Sequence, residues 1–352
     1  MEKRKLLLIN YAMDSKHQVF SHQVDLVNKL AKRFDHVTVL TGSLGVFQVA
    51  ENVNVICYRW VEGKRFSSLI RFLFTFVRSI KSQKYSVLFS HMTSVQSAFI
   101  APITKLIGLR HFLWYAHTSN NIYLKIARAL TDGIITSTSG SCPLDGRKID
   151  PIGQSIDKSV FSKKAKVSWP ITKIVHIGRF DPSKDIEVII NTVEKVRHSN
   201  PALTLEIIGS SSSDKFEEYE REVKNRFLNK PEYSWVKFTS HISRAELPEV
   251  LKSKEAFIHA FQGSLDKTLV EATFTGLPVV TINNEYLKIF GFWEPKNQPG
   301  SYFLEKELTK LLTLSESELQ AEVERRYEIA VRNHEISGWV DRLVSVLSGQ
   351  AK

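Results

Sequence analysis

The sequence holds little cysteine and no long apolar run, and one stretch of it lacks acid altogether. Two cysteines, Cys57 and Cys142, stand among 352 residues. Their number and spacing exclude a disulfide framework and a cysteine-based metal site, and suit a reducing compartment. The N-terminal apolar run, Leu6-Leu-Leu-Ile9, is four residues long. It is too short for a signal peptide or a membrane span and is expected to form a buried first strand. No transmembrane helix and no internal repeat is expected. A hydrophobic content of 43% and a charged content of 24% are those of a globular protein, and the length allows two domains with full cores.

Between Glu62 and Asp132 there is no acidic residue, yet ten basic ones fall there. Residues 1–170 carry 24 Lys and Arg against 10 Asp and Glu, and residues 171–352 carry 24 against 27. The net charge of +11 is thus concentrated in the N-terminal half. Such a surface attracts a membrane leaflet, a nucleic acid or an acidic polymer, or is simply a solvated basic face. No recognition motif supports nucleic acid, so that partner is not expected. The helix expected over Arg65–Gln83 has Leu69, Phe72, Leu73, Phe76 and Ile80 on one side and Arg71, Arg78 and Lys81 on another. Its apolar face suits packing on a sheet, and its basic start, with Trp60, Lys64, Arg65, Phe66 and Arg71, suits an anionic membrane surface.

Apolar strands alternate with amphipathic helices along the whole chain, which predicts parallel α/β sheets. Ser159–Pro170, with Lys163, Lys164 and Lys166, is expected to be a linker. Domains are expected over residues 1–165 and 170–330, with residues 331–352 helical and returning toward the first domain. His91, His117 and Ser137–Ser139 fall at carboxyl ends of strands, where open α/β sheets bind ligands. His91 is expected to be a hydrogen-bonded structural group.

The most informative stretch runs from Phe261 to Val280. A strand enters it, Gly263 and Ser264 turn the chain, and a helix starts near Asp266 as N-cap and ends at Gly276. A helix N-terminus presents backbone N–H groups to an anion, most often a phosphate. Lys267 adds a cation there, and Glu271 follows one turn on. The same stretch also fits an ordinary βαβ turn. In the same domain, Gly178-Arg179 and Lys184 follow a strand. Arg179 can fork to phosphate oxygens and Lys184 can act as a point charge, so the pair fits a departing diphosphate.

With these residues in view, the chain resembles glycosyltransferase family 4 of GT-B architecture, in the bacterial branch with a Gly-Ser-Leu-Asp-Lys motif. The resemblance rests on His-Ile-Gly-Arg-Phe-x4-Asp at 176–185, Gly-Ser-Leu-Asp-Lys-Thr-Leu-Val-Glu-Ala at 263–272, Gly-Leu-Pro-Val-Val at 276–280, Trp-Tyr-Ala-His at 114–117, Thr-Ser-Thr-Ser at 136–139 and Gly-Gln-Ser-Ile-Asp at 153–157. These come in family order and span most of the chain. The resemblance implies an α/β fold, two doubly wound Rossmann-like domains facing a cleft. It implies a retaining, metal-independent hexosyltransferase that uses a nucleotide diphosphate sugar as donor substrate, with no cofactor. The C-terminal domain would bind the donor and the N-terminal domain a lipid-linked or cell-surface glycan acceptor. Arg179 and Lys184 match the family's diphosphate-binding pair, and His117 matches the histidine that approaches the donor sugar. Gly178, Gly263, Ser264, Leu265, Asp266, Lys267, Thr268 and Glu271 complete the donor site, Glu271 holding the ribose. The base would lie near Gly209, His241 and Ile242. The enzyme would work in the cytoplasm, on the inner face of the plasma membrane.

Two departures stand out. Gly263 occupies the place of the family's first glutamate, the one that touches the donor sugar, and Asp266 is the available substitute. The glycine-rich loop usual after the first strand is replaced by Asp14-Ser-Lys-His-Gln18. A sugar-nucleotide epimerase would bring additional carboxylates, which have no assignment here. A phosphorylase would need a pyridoxal-binding lysine, and no residue marks one. A non-catalytic partner subunit would keep the fold and lose the sugar contact at Gly263.

Overall fold

A computed structural model describes residues 4–17, 20–146, 148–211, 213–294 and 304–349. Gln18 of the loop noted above and Ser212 of the polar loop after Gly209 lie outside these. The chain forms two compact units, Met1–Gly153 with Ser337–Lys352, and Gln154–Ile336.

Unit 1 is built on seven strands: β1 Lys5–Met13, β2 His36–Leu44, β3 Val53–Cys57, β4 Val87–His91, β5 His111–Trp114, β6 Gly133–Thr136 and β7 Ile149–Pro151. They pair in the order β3-β2-β1-β4-β5-β6-β7, every pair parallel. Helices α1 His22–Ala31, α2 Arg65–Ser82, α3 Ser94–Leu106 and α4 Ile122–Leu130 connect them. β4 and β5 are buried throughout, the mark of a parallel sheet covered on both faces. β1 runs four residues past Ile9, the end of the apolar run, because Ala12 and Met13 continue the ladder opposite Ser43 and Leu44.

Unit 2 is built on β8 Lys173–Ile177, β9 Thr204–Ile208, β10 Val236–Thr239, β11 Ala256–His259 and β12 Val279–Thr281, in the order β10-β9-β8-β11-β12, all parallel. Its helices are α5 Ile186–Arg197, α6 Glu217–Phe227, α7 Leu247–Lys252, α8 Lys267–Phe274, α9 Asn284–Phe290, α10 Leu304–Thr313 and α11 Glu316–His334. Successive strand residues face opposite sides, and both sides are used. Ile174, Leu205, Ile207, Ala256, Ile258 and Val280 enter one core, and Val175, Ile177, Ile208, Phe257 and Val279 enter the other. α11 starts with a capping box in which Ser315 and Glu318 satisfy each other's backbone N–H groups.

Ser159–Pro170 is no free linker. Phe161 is buried in one core of unit 2 and Val167 in the other, so these apolar side chains tie the segment down. The last helix, α12 Ile336–Ser348, packs on unit 1. Its Trp339 indole donates to the Gly153 carbonyl (2.9 Å) and lies edge-on to Trp114. Among the described residues, no helix is long and apolar enough to cross a membrane.

Candidate active site

The sheet of unit 2 changes direction between β8 and β11. From β8 the chain steps outward to β9 and β10, then returns to place β11 on the other side. Loops leaving the carboxyl ends of two such strands diverge, and the crevice between them is where open α/β sheets bind ligands. The loops here are 178–185 after β8 and 260–266 after β11.

The first loop is fixed by its own side chains. The Asp181 carboxylate accepts from the Ser183 N–H (2.9 Å) and hydroxyl (2.8 Å). Asp185 takes a left-handed conformation and starts α5. Arg179 is exposed and Lys184 is buried. Gly178 and Gly209 meet backbone to backbone, and a Cβ on Gly209 would sit 1.9 Å from the Gly178 carbonyl oxygen. This close approach holds the β8 and β9 loops together and requires glycine. His241 is exposed, and Ile242 packs against the α7–α8 side of the core.

The second loop is splinted by Asn283. Its side-chain amide donates to the carbonyls of Phe261 (2.9 Å), Gly263 (3.3 Å) and Ser264 (3.2 Å), while its Oδ1 caps α9 through the Tyr286 N–H (2.9 Å). The Leu265 carbonyl accepts from Gln154 Nε2 at 2.8 Å. Lys267 and Thr268 open α8, which has no acid in its first turn. The Thr268 hydroxyl is buried without a hydrogen-bond partner among the described residues.

Asp266 does not cap α8 as the sequence suggested. Its side chain makes no cap bond and turns instead to Lys184, with which it forms an ion pair, and to His259 Nε2 at 3.3 Å. The reason is electrostatic, since a buried ammonium needs a counter-charge more than a helix end needs a side-chain cap. Burial pushes the Asp266 carboxyl up, but the Lys184 charge and the His259 hydrogen bond outweigh it and hold the group well below the usual range. Burial pushes His259 below its ordinary value against the pull of Asp266. It also drives His176 down to about 3. The Lys184 ammonium stands 3.9 Å from the centre of the Phe261 ring.

Phe261 also explains Gly263. A Cβ at Gly263 would lie 2.1 Å from Phe261 Cζ, so the ring fills the space that a side chain at 263 would enter. Glu271 is buried, and its carboxylate accepts from Arg244 at 2.8 Å. Of the expected donor residues, Gly178, Arg179, Lys184 and Gly263–Thr268 therefore line the two loops at the switch point. Glu271 lies one turn into α8 and already has a partner.

His117 belongs to unit 1. It follows β5, is exposed, and its Nδ1 accepts from the Ser119 N–H at 2.9 Å. His91 is buried and bonded to Gln23 at 2.9 Å, as a structural histidine should be. On α2, Phe66 is 79% exposed, Ile70 52% and Phe74 69%, an outward apolar stripe at four-residue spacing. Lys64 and Arg65 are exposed at its start. Arg71 is half-buried, and its guanidinium donates to the Arg59 carbonyl (2.7 Å) and the Ser68 hydroxyl (3.1 Å), which ties α2 to the chain leaving β3. Trp60 packs half-buried on the unit 1 core.

His259, Asn283, Arg244 and Phe261 were not singled out from the sequence. Asn283 had a weak signal, a helix-capping residue directly after a strand. For the other three the signal is purely spatial.

Solved structures share this fold over nearly the whole chain. The HepE protein of Anabaena, solved in complex with UDP-glucose, superposes with a TM-score of 0.74 at 15% identity, over 98% of this chain and 99% of that one. Sucrose-phosphate synthase from Thermosynechococcus elongatus gives 0.77 at 14%, over 99% and 100%. WaaG, a glycosyltransferase involved in lipopolysaccharide biosynthesis, gives 0.65 at 15%, over 98% and 100%. At these identities the likeness defines the fold, which is GT-B, with two Rossmann-like units. The family model of Glycosyl transferases group 1 matches residues 171–290, which run from just before β8 to the end of α9. No curated protein matches the sequence.

Proposed function

We propose that the protein is a retaining glycosyltransferase that moves a hexose from a nucleotide diphosphate sugar onto a lipid-linked or cell-surface glycan acceptor. One observation carries this reading. Arg179, Lys184 and the N-terminus of α8, with the unpartnered Thr268 hydroxyl, converge on the switch point of unit 2. Two cations and a helix N-terminus are the groups that a diphosphate is held by, and this supports the reading. The family model covers the strands and both loops of this site, residues 171–290, and a neighbour of the same fold was solved with UDP-glucose.

In this reading the bond between the anomeric carbon and the diphosphate oxygen breaks while an acceptor hydroxyl forms its bond on the same face. The hydroxyl proton passes to the departing diphosphate. Arg179 and Lys184 stabilise the negative charge that builds on that leaving group. A role for His117 at the donor sugar rests on the family resemblance alone. No metal or cofactor enters this scheme.

The acceptor assignment rests on unit 1. Its α2 stripe of Phe66, Ile70 and Phe74 stands beside Lys64 and Arg65 in a stretch free of acid. A groove of about 310 Å³, lined in part by Cys57, Arg59, Ile70 and Phe74, opens along it. Exposed aromatics flanked by cations suit an anionic leaflet, here the cytoplasmic face of a bacterial plasma membrane. A second reading, a catalytically degenerate GT-B subunit, draws on Phe261 filling the space at Gly263 and Asp266 holding Lys184.

The two are separated by a thermal-shift screen of UDP, GDP, dTDP and ADP sugars followed by transfer or hydrolysis assays. A donor that raises the melting temperature and is turned over supports the enzyme. Normal turnover by Arg179→Ala or Lys184→Ala would falsify the proposed charge stabilisation.

A further inference from the structure

The Lys184–Asp266–His259 group raises a charge problem that diphosphate binding must solve. Lys184 and Asp266 cancel each other in a buried pair. A diphosphate diester brings two negative charges to the same ammonium. The Asp266 carboxylate, already facing His259 at 3.3 Å, would then share one cation with an anion of higher charge. A buried carboxylate without a full counter-charge is strongly unfavourable.

His259 is placed to relieve this. It is the last residue of β11 and wholly buried. Its Nε2 is directed at Asp266 and its Nδ1 lies 3.4 Å from the Thr281 hydroxyl. The charged and titratable groups facing it are Asp266 from the β11–α8 turn, Lys184 from the β8 loop and His176 from β8, whose ring centre is 5.8 Å away. Thr281 from β12 is uncharged. Phe257 and Phe261 flank the ring on its own strand and turn.

We propose that His259 takes up a proton when a nucleotide diphosphate sugar binds, replacing Lys184 as the counter-ion of Asp266. Asp266 and His259 are thus positioning residues that let Lys184 face the diphosphate. This inference rests on the donor-site reading above. With Lys184 as its neighbour, the buried imidazole favours the neutral form, its proton affinity pushed below the ordinary value by burial. An added diphosphate removes the repulsive influence of Lys184 and adds attraction, so protonation becomes favourable. The imidazole binds protons more tightly in the complex, so its contribution to affinity is fully present below its pKa in the free protein and is lost as pH rises through its pKa in the complex.

Calorimetry of the full chain tests this. UDP-, GDP-, dTDP- and ADP-glucose are suitable probes, because a diphosphate diester has no proton of its own to exchange near neutral pH. The best binder is titrated at pH 6.5–7.5 in buffers of different ionisation enthalpy. The expected result is uptake of about half to one proton per site, with affinity tightening up to about tenfold per pH unit as pH falls. His259→Gln, which keeps a donor toward Asp266, should bind with no proton uptake and no such slope. The wild-type measurement stands alone if that variant does not fold, and Asp266→Asn, which should also lose the uptake, is a second check. Binding by the wild type with no buffer dependence overturns the inference and leaves the donor site standing. Binding of none of the four probes overturns both.

Discussion

Asp266 sits at the N-cap position of α8 and ignores it, while Gly263 stands where a carboxylate was expected and is roofed by a phenyl ring. The first comes from a contact across the crevice, to Lys184, and the second from a ring two residues back on the same loop. The Phe261 ring is half-buried, so it can swing. Gly263→Ala should therefore displace it from Lys184 and cost about 0.5–1 kcal/mol, the size of a partly exposed cation–π contact. Thermal denaturation reads this, and a loss beyond about 2 kcal/mol would mean the ring cannot move and the overlap is paid in strain. Arg244 gives a harsher test. Its removal strands the buried Glu271 carboxylate, and because Arg244 itself reaches solvent, Arg244→Ala should cost about 2–3 kcal/mol. Urea denaturation showing no loss would mean that Glu271 has other partners. The residue types of this site were legible in the sequence, since Arg179, Lys184 and Gly263–Thr268 do gather at one crevice. Their pairings were not, because Lys184 and Asp266 are 82 residues apart and only the fold makes them neighbours.

The elements were largely legible, because parallel strands buried on both faces read as short apolar runs and the helices between them carry clear stripes. β7 and α9 escaped notice. β7 is three residues long and contains Pro151, and α9 spans seven residues of mixed character. Two elements carry tests of their own. On α2, replacing Phe66, Ile70 and Phe74 with Ser should leave the melting temperature within about 2 °C, since exposed residues contribute little to the core. It should abolish co-sedimentation with phosphatidylserine vesicles. Lys64→Gln and Arg65→Gln should each weaken that binding about fivefold, about 1 kcal/mol per basic residue. Vesicle binding unaffected by either set would remove α2 as the contact. Between β9 and β10, burial pushes Glu206 up, but Lys254, Thr239 and Lys237 outweigh it and hold its carboxyl down at about 2. Its folded value is depressed, so its contribution is present above about pH 4.5 and is lost as pH falls toward 2. Acid titration of unfolding should show Glu206→Gln less steep across that window than the wild type.

At the scale of the whole molecule the chain divides its chemistry between two units. Unit 2 carries Arg179, Lys184 and the N-terminus of α8, and unit 1 carries the stretch free of acid and His117. The break falls at Gly153–Gln154, ahead of the lysine-rich segment 163–166, because Phe161 and Val167 anchor that segment in unit 2. Composition pointed to a linker there since lysines usually mark solvent, and two buried apolar residues outweighed them. Donor binding as proposed requires that unit 2 hold the diphosphate of a sugar nucleotide through Arg179 and Lys184. Isothermal titration of the best-binding nucleotide sugar into wild type, Arg179→Ala and Lys184→Ala measures this. Each substitution removes charge-assisted hydrogen bonds of about 1.5–3 kcal/mol, so each should weaken binding about 10- to 100-fold. Equal affinity in all three proteins would mean that neither cation holds the donor.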